Sequence, residues 1–474
     1  MLLDPWRLRS HARSASFAVL ASVAACAAAS ALAPALASES VVYSFKSGTD
    51  GALPEAGLIS DQQGVLYGTT VSGGTPSCGT VFKLTPPSSG AGIKGEWTDS
   101  VLYSFCSQSD GIDGADPASS LVLGPRGALY GTTTFGGSLG YGTVFKLTPP
   151  ASGQTLWTET VLYNFQGGTD GAYPSSDLIF GEDGALYGTA SGGGTSNCGT
   201  YGCGTVFKLT PPAGVQTQWT ETVLYSFCPQ IGCSDGKGPL AGLIFDQQGA
   251  LYGTTAGGGS STNGTVFQLT PPAAGQTLWT ETVLYSFCLQ TNCTDGAQPY
   301  AGLIFDRQGA LYGTTGLGGS DGNGTVFKLT PPASGQTLWT ETVLYRFLGS
   351  AGSDGSSPYA GVIFDNDGAL YGTTYGGGSS SCYDGCGTLF KLTPAAGQTQ
   401  WTESVLRTFA GGSSDGATLR GGLIVGPDGA LYGTTYDGGS AANGGNGYGT
   451  VFRQCSLEGG EVFGGKVKRR CLRW

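Results

Sequence analysis

A short stretch, GALYGTT, recurs in close variants along the chain, with its tyrosine at Tyr67, Tyr130, Tyr187, Tyr252, Tyr312, Tyr371 and Tyr432. Successive copies are 57 to 65 residues apart. Recurrence at such a period marks a repeat architecture, in which one unit cannot bury its own apolar face and stacks on its neighbours. Each repeat reads as four short β-prone pieces, a to d. In one complete unit they cover 243–246, 251–255, 264–270 and 280–287, rich in Leu, Ile, Val, Thr, Tyr and Phe. Gly249 between a and b suits the positive φ of a tight hairpin. Pro271 and Pro272 cannot donate to a ladder and so end strand c.

Four antiparallel strands per repeat, without helical periodicity, predict an all-β fold: a seven-bladed β-propeller of four-stranded antiparallel blades. The two ends are complementary. The first β-prone piece, 41–45, is a lone d strand, and the last a–b–c set stops near Phe452 without one. The N-terminal strand is therefore expected to complete the last blade, which removes free sheet edges. An open β-solenoid is the competing architecture, but it calls for capping units, not complementary halves.

Three regions follow, 1–37, 38–455 and 456–474. In the first, Arg7, Arg9 and Arg13 precede an alanine-rich apolar run, and Ala35-Leu36-Ala37 has the A-x-A form of a signal-peptide cleavage site. Val23-Ala24-Ala25-Cys26 also reads as a lipobox, so a lipid on Cys26 is the one expected route to a membrane. The expectation is a secreted, periplasmic or outer-envelope protein, monomeric. The tail at 456–474 is basic through Lys466, Lys468, Arg469, Arg470 and Arg473 and is expected to be disordered. With 33 acidic against 22 basic side chains, nucleic acid is excluded as a partner.

Of 13 cysteines, all but Cys26 fall in the propeller and tail, an even number that reads as disulfides in an exported chain. Cys78 precedes strand c and Cys106 follows strand d, so antiparallel neighbours bring them together. Cys288 and Cys293 are alone in their unit. Cys198 with Cys203 and Cys228 with Cys233 compete with the crossed pairs Cys203–Cys228 and Cys198–Cys233. Cys382 with Cys386 and Cys455 with Cys471 complete the set. No C-x-x-C spacing occurs, and no metal is expected on these cysteines.

The only histidine, His11, lies in the segment expected to be removed, which excludes Ser–His–Asp and Cys–His catalysis in the mature chain. No phosphate-binding or dinucleotide fingerprint occurs, and no catalytic residues are identified. The d–a and b–c loops are expected on one face. Each d–a loop carries an Asp-Gly pair, led by Asp50, Asp113, Asp170, Asp235, Asp295, Asp354 and Asp415. A ring of carboxylates near a channel mouth could bind a cation or a polyol, and calcium is the one cofactor the pattern admits. Turn chemistry explains the same pairs. Asp365-Asn366-Asp367-Gly368 occupies an a–b hairpin and reads as a plain turn.

The same face gathers Tyr300 and Tyr359, with Tyr173, from d–a loops, and Tyr375, Tyr383 and Tyr436, with Phe135, Tyr141, Tyr201 and Tyr448, from b–c loops. Exposed tyrosines beside Asp, Asn and Ser suit stacking on sugar rings, whereas packing between blades is the structural alternative. Trp97, Trp157, Trp219, Trp279, Trp339 and Trp401, which begin strand d, are expected to pack between blades. The function expected is a binding or interaction module for envelope or extracellular carbohydrate polymer. A carboxylate- or calcium-dependent glycan hydrolase or lyase and a structural surface protein binding other proteins are the alternatives.

The unit DGALYGTTxxGGxxxxGTVFKLTP, followed by WTETVLYSF and SDGxxPxAGLIFD, resembles the GloVer (Gloeo–Verruco) tandem-repeat proteins of bacteria over nearly all of 41–453. The resemblance implies an exported repeat protein, often held at the cell surface by a C-terminal sorting anchor, and brings no catalytic residues with it. This chain departs from that pattern in having no sorting helix at its C-terminus.

Overall fold

The computed structural model describes residues 39–471 apart from 88–95, 215–217, 350–353, 396–400, 441–446, 456–460, 464–465 and 469–470. The segment expected to be a signal peptide, with Cys26, and Arg469, Arg470 and Arg473 of the tail lie outside the described residues.

Seven four-stranded antiparallel sheets form the blades of a β-propeller. In the fourth, strand a is Ile244–Phe245, b Leu251–Thr255, c Thr265–Thr270 and d Thr280–Ser286, hydrogen-bonded in that order. The seventh combines Ile424–Val425, Leu431–Thr435 and Thr450–Gln454 with Glu39–Ser44 from the start of the described chain. There Ser44 faces Thr450 and Glu39 faces Gln454, so the N-terminal strand supplies the missing d strand and closes the ring.

The recurring motif is a packing solution. A Cβ on Gly253 would stand 2.6 Å from the Phe267 ring, so glycine is needed where the strand c phenylalanine lies across strand b. The first threonine bonds across blades. Thr254 Oγ1 donates to the Ala301 carbonyl of the next blade at 3.0 Å, and Thr434 closes the circle onto Ala56 at 2.8 Å. The second threonine bonds within its blade, as in Thr255 with Thr265 at 2.9 Å. Between blades, the phenylalanine after each d strand meets the strand c phenylalanine of the next edge-on, from Phe45–Phe82 at 5.1 Å round to Phe409–Phe452 at 5.0 Å. Edge-to-face pairs of this kind add roughly 0.5–1.5 kcal/mol each beyond area burial. The strand d tryptophans join these interfaces: Trp97 packs on Tyr432 and Trp219 on Tyr130 of the preceding blade.

Among the described residues six disulfides are formed: Cys78–Cys106, Cys198–Cys203, Cys228–Cys233, Cys288–Cys293, Cys382–Cys386 and Cys455–Cys471. The last spans a two-stranded hairpin of Glu461–Phe463 with Lys466–Lys468. Disulfides in this number fit a compartment outside the reducing cytoplasm. Among the described residues no helix is long and apolar enough to cross a membrane.

Candidate binding site at the channel mouth

The segment leading into strand a of every blade lines a central cavity of about 760 Å³. The chain enters each strand a from a d–a loop, and that loop is tied to the b–c loop of its blade by backbone bridges such as Ala297↔Leu317 and Ser356↔Gly376. Loop clusters from all seven blades are thus held together at one end of the channel.

Around this mouth the repeat symmetry breaks. The residue after the loop proline, or after Leu419 in the last unit, is in turn Glu55, Ala118, Ser175, Leu240, Tyr300, Tyr359 and Arg420, and all seven line the cavity. The residue leaving strand b is Val71, Thr134, Ser191, Ala256, Gly316, Tyr375 and Tyr436. A third layer reads Gly57, Ser120, Asp177, Gly242, Gly302, Gly361 and Gly422. Neighbouring positions, by contrast, repeat almost unchanged.

These substitutions build a continuous arc. Tyr300 and Tyr359 meet edge-on at 5.2 Å, and Tyr359 meets Tyr375 at 5.1 Å. The Arg420 guanidinium lies 4.3 Å from the Tyr436 ring centre and 5.5 Å from that of Tyr375. Its Nη1 donates to Glu55 Oε1 at 2.7 Å, while Nε is buried without a hydrogen-bond partner. Bare Gly316 lets the Tyr300 ring lie close: a Cβ there would be 2.7 Å from Tyr300 Cδ2. The Tyr300 hydroxyl donates to Gln298 Oε1. Burial pushes the Tyr300, Tyr359 and Tyr436 hydroxyls up, so they remain donors at neutral pH. Of the expected aromatic residues, Tyr383 stands apart, fully exposed on its b–c loop. Phe135, Tyr141, Tyr173 and Tyr201 form a second cluster, with Tyr173 contacting each of the other three.

Asp177 is the one acid in the third layer. It is enclosed by protein yet open to the channel, and its Oδ1 accepts the Ser120 backbone N–H at 2.6 Å. Burial raises its pKa, against the hydrogen bonds from Ser120. Sequence reasoning missed Asp177, Glu55 and Arg420. Their signal was available in aligned repeats, as departures at otherwise small or apolar positions.

The seven loop aspartates lie against the outer d strands, and none lines the channel. Asp113 accepts from the Tyr103 hydroxyl at 2.8 Å and from Ser107 N at 2.9 Å; Asp295 accepts from Tyr285 and Leu289 N at 2.8 and 2.9 Å. Asp50, Asp170, Asp235 and Asp354 each take a strand d tyrosine and a loop amide in the same way. At Asp415 an arginine, Arg407, replaces the tyrosine. Hydrogen donors aimed at a carboxylate fit a loop clamp and compete with a cation cage, so these groups are poorly arranged for calcium. Asp365 is likewise a turn residue, accepting from Asp367 N and Ala369 N.

Six of these aspartates face an acid on strand d of the next blade: Asp99, Glu159, Glu221, Glu281, Glu341 and Glu403. Burial and then the aspartate charge raise these groups, Glu159 and Glu281 to about 8, Glu221, Glu341 and Glu403 to about 7, and Asp99 to about 6. Each keeps one buried oxygen without a partner.

Fold and mouth together define a tandem-repeat β-propeller, a near-uniform scaffold with one individualised end. The chain belongs to the Gloeobacter/Verrucomicrobia repeat family, whose pattern matches residues 30–201 and 198–452. No curated protein matches it significantly. Among solved structures it is similar to a putative 6-phosphogluconolactonase from Bacteroides uniformis, with 14% identity, 75% of this chain and 87% of that chain covered, and a TM-score of 0.44. It is also similar to a putative oxidoreductase (glucose dehydrogenase) from Thermus thermophilus, with 17% identity, 88% and 99% covered, and a TM-score of 0.39. Aldose sugar dehydrogenase from Streptomyces coelicolor, in its PQQ-bound form, gives 14% identity, 70% and 93% covered, and a TM-score of 0.38. At these distances the likeness identifies no activity.

Proposed function

We propose that the chain is an extracytoplasmic binding module whose channel mouth takes a carbohydrate polymer of the cell envelope or its surroundings. The observation that carries this reading is the concentration of repeat-breaking residues at the mouth, where Tyr300, Tyr359, Tyr375, Arg420, Tyr436 and Glu55 form one arc. Flat rings bordered by fixed donors and acceptors match a sugar, which offers an apolar ring face and a rim of hydroxyls. Tyr383 adds an outer contact, and the seven aspartates act by clamping the loops that present the arc.

The test is a binding screen of the purified chain against neutral, acidic and amino polysaccharides, with bound polymer checked for breakdown. Tyr359→Ala and Tyr375→Ala should each weaken binding about tenfold or more, equivalent to ~1.4 kcal/mol. Leu156→Ser, at an exposed leucine remote from the mouth, should leave it unchanged. Binding should survive a chelator. Breakdown of the polymer would replace this reading with the glycan hydrolase or lyase, and failure to bind any polymer would replace it with a protein-binding role.

A further inference from the structure

Two disulfides that belong to different loops come together beside the channel mouth. Cys198–Cys203 staples the b–c loop of the third blade, and Cys228–Cys233 staples the d–a loop that follows its d strand. All four Sγ atoms lie within 4.8 Å of one another, and Cys198 Sγ is 3.8 Å from Cys233 Sγ although the two are not bonded. A tetrahedron of thiolates on zinc, with bonds of about 2.3 Å, has edges of about 3.8 Å. The unbonded Cys198–Cys233 pair already stands at that separation, and the two bonded pairs need only open to it when their bonds are reduced. Cys203 and Cys228 are buried in the core between the third and fourth blades, while Cys198 and Cys233 are half-buried and give access from solvent.

An independent departure from the repeat points the same way. The residue after the loop Asp-Gly is Ala52, Ala115, Ala172, Ala297, Ser356 or Ala417 in the other units, but Lys237 in this one. Lys237 lines a cavity of about 420 Å³ together with Cys198 and Cys203. Four thiolates on a divalent ion carry a net charge of minus two, and a lysine at this place offsets part of it. The pair Cys288–Cys293 has the same five-residue separation but no second disulfide beside it, and Ala297 stands where Lys237 would be.

We propose that Cys198, Cys203, Cys228 and Cys233 form one redox-gated site for a thiophilic divalent cation of the zinc class. In the oxidised protein the four sulfurs form two disulfides. An external dithiol reduces each bond by supplying two electrons and two protons, and leaves as its own disulfide. The four thiols then lose their protons on binding the ion, which staples the same two loops through the metal. Reoxidation by an external disulfide, which takes two electrons from each cysteine pair and two protons from solvent and leaves as its dithiol, remakes the bonds and releases the ion.

The experiment titrates cobalt(II), as a visible stand-in for zinc, into the full chain with and without prior reduction by a phosphine under anaerobic conditions. The reduced chain should bind one cobalt per molecule with sulfur-to-cobalt charge-transfer absorption, zinc should displace it, and the oxidised chain should show none of this absorption. In the double variant Cys198→Ser/Cys203→Ser, tested reduced, affinity should fall at least 100-fold while the other disulfide pairs remain encoded. Circular dichroism follows the fold throughout. A folded, reduced chain without thiolate absorption would overturn the proposal, as would equal absorption from the double variant. If reduction unfolds the chain, zinc must restore its β signal; failure to do so counts equally against the site.

Discussion

At the residue scale, the exception in the GTT motif is as informative as the rule. Ala190 replaces the second threonine in the third blade, and Thr205 Oγ1, its would-be partner, is buried without a hydrogen bond. Ala190→Thr should restore the pair seen as Thr133–Thr143 at 2.8 Å and stabilise the chain by about 1 kcal/mol, read as a raised denaturation midpoint. The converse change, Thr434→Val, strips the donor from the buried bond to the Ala56 carbonyl and should cost about 1–3 kcal/mol. The strand-forming role of GALYGTT was legible from its alternation and turn residues. The hydroxyl bonds of its first threonine were not, because their partners lie 44 to 52 residues ahead, as in Thr132 to Ser176 and Thr189 to Ala241, or near the other end of the chain for Thr434. Likewise the loop aspartates read as turn residues or as a ring near a channel mouth, and neither reading included their strand d partners. The tyrosines that draw them to the outer strands sit up to 10 residues back, a contact made only once the loop has closed.

At the element scale, the N-terminal strand is the closure of the ring. Removing residues 39–44 leaves strand Thr450–Gln454 as an open edge, and the truncated chain should self-associate where the intact one stays monodisperse in light scattering. The Cys78–Cys106 bridge spans 28 residues and joins the start of one outer hairpin to its end. Replacing both cysteines by alanine should cost roughly 3–4 kcal/mol on the chain-entropy account, measured by denaturant unfolding. Strand order made this bridge geometrically reasonable in advance, since antiparallel neighbours put both cysteines at one end of the blade. For Cys198, Cys203, Cys228 and Cys233 strand order allowed two pairings, and only the conformation of the loops chooses between them.

Across the whole molecule, six acid pairs girdle the propeller between neighbouring blades. Because the folded chain holds Glu159 and Glu281 up at about 8 and Glu221, Glu341 and Glu403 at about 7, it binds protons that the unfolded chain has already released. Stability is therefore fully present below the ordinary carboxylate range, ~pH 4, and is lost as the pH rises through 7–8. The melting temperature should be higher at pH 5.5 than at pH 8.5. Glu159→Gln combined with Glu281→Gln should shrink that difference, whereas an unchanged pH slope would show that these pairs do not set it. Architecture and closure were legible from the repeat count and the complementary ends. The girdle was not, because each pair joins residues of different repeats across an interface.

The shared last blade also orders events in time. Its outer strand is the first strand among the described residues and its inner three strands come near the end, so no circle exists until residue 454 is available. A chain made or threaded N-terminus first is a growing open row of blades, its final lock waiting on the last strand to arrive. The ring thus stays unlatched for as long as any of its repeats is still to come.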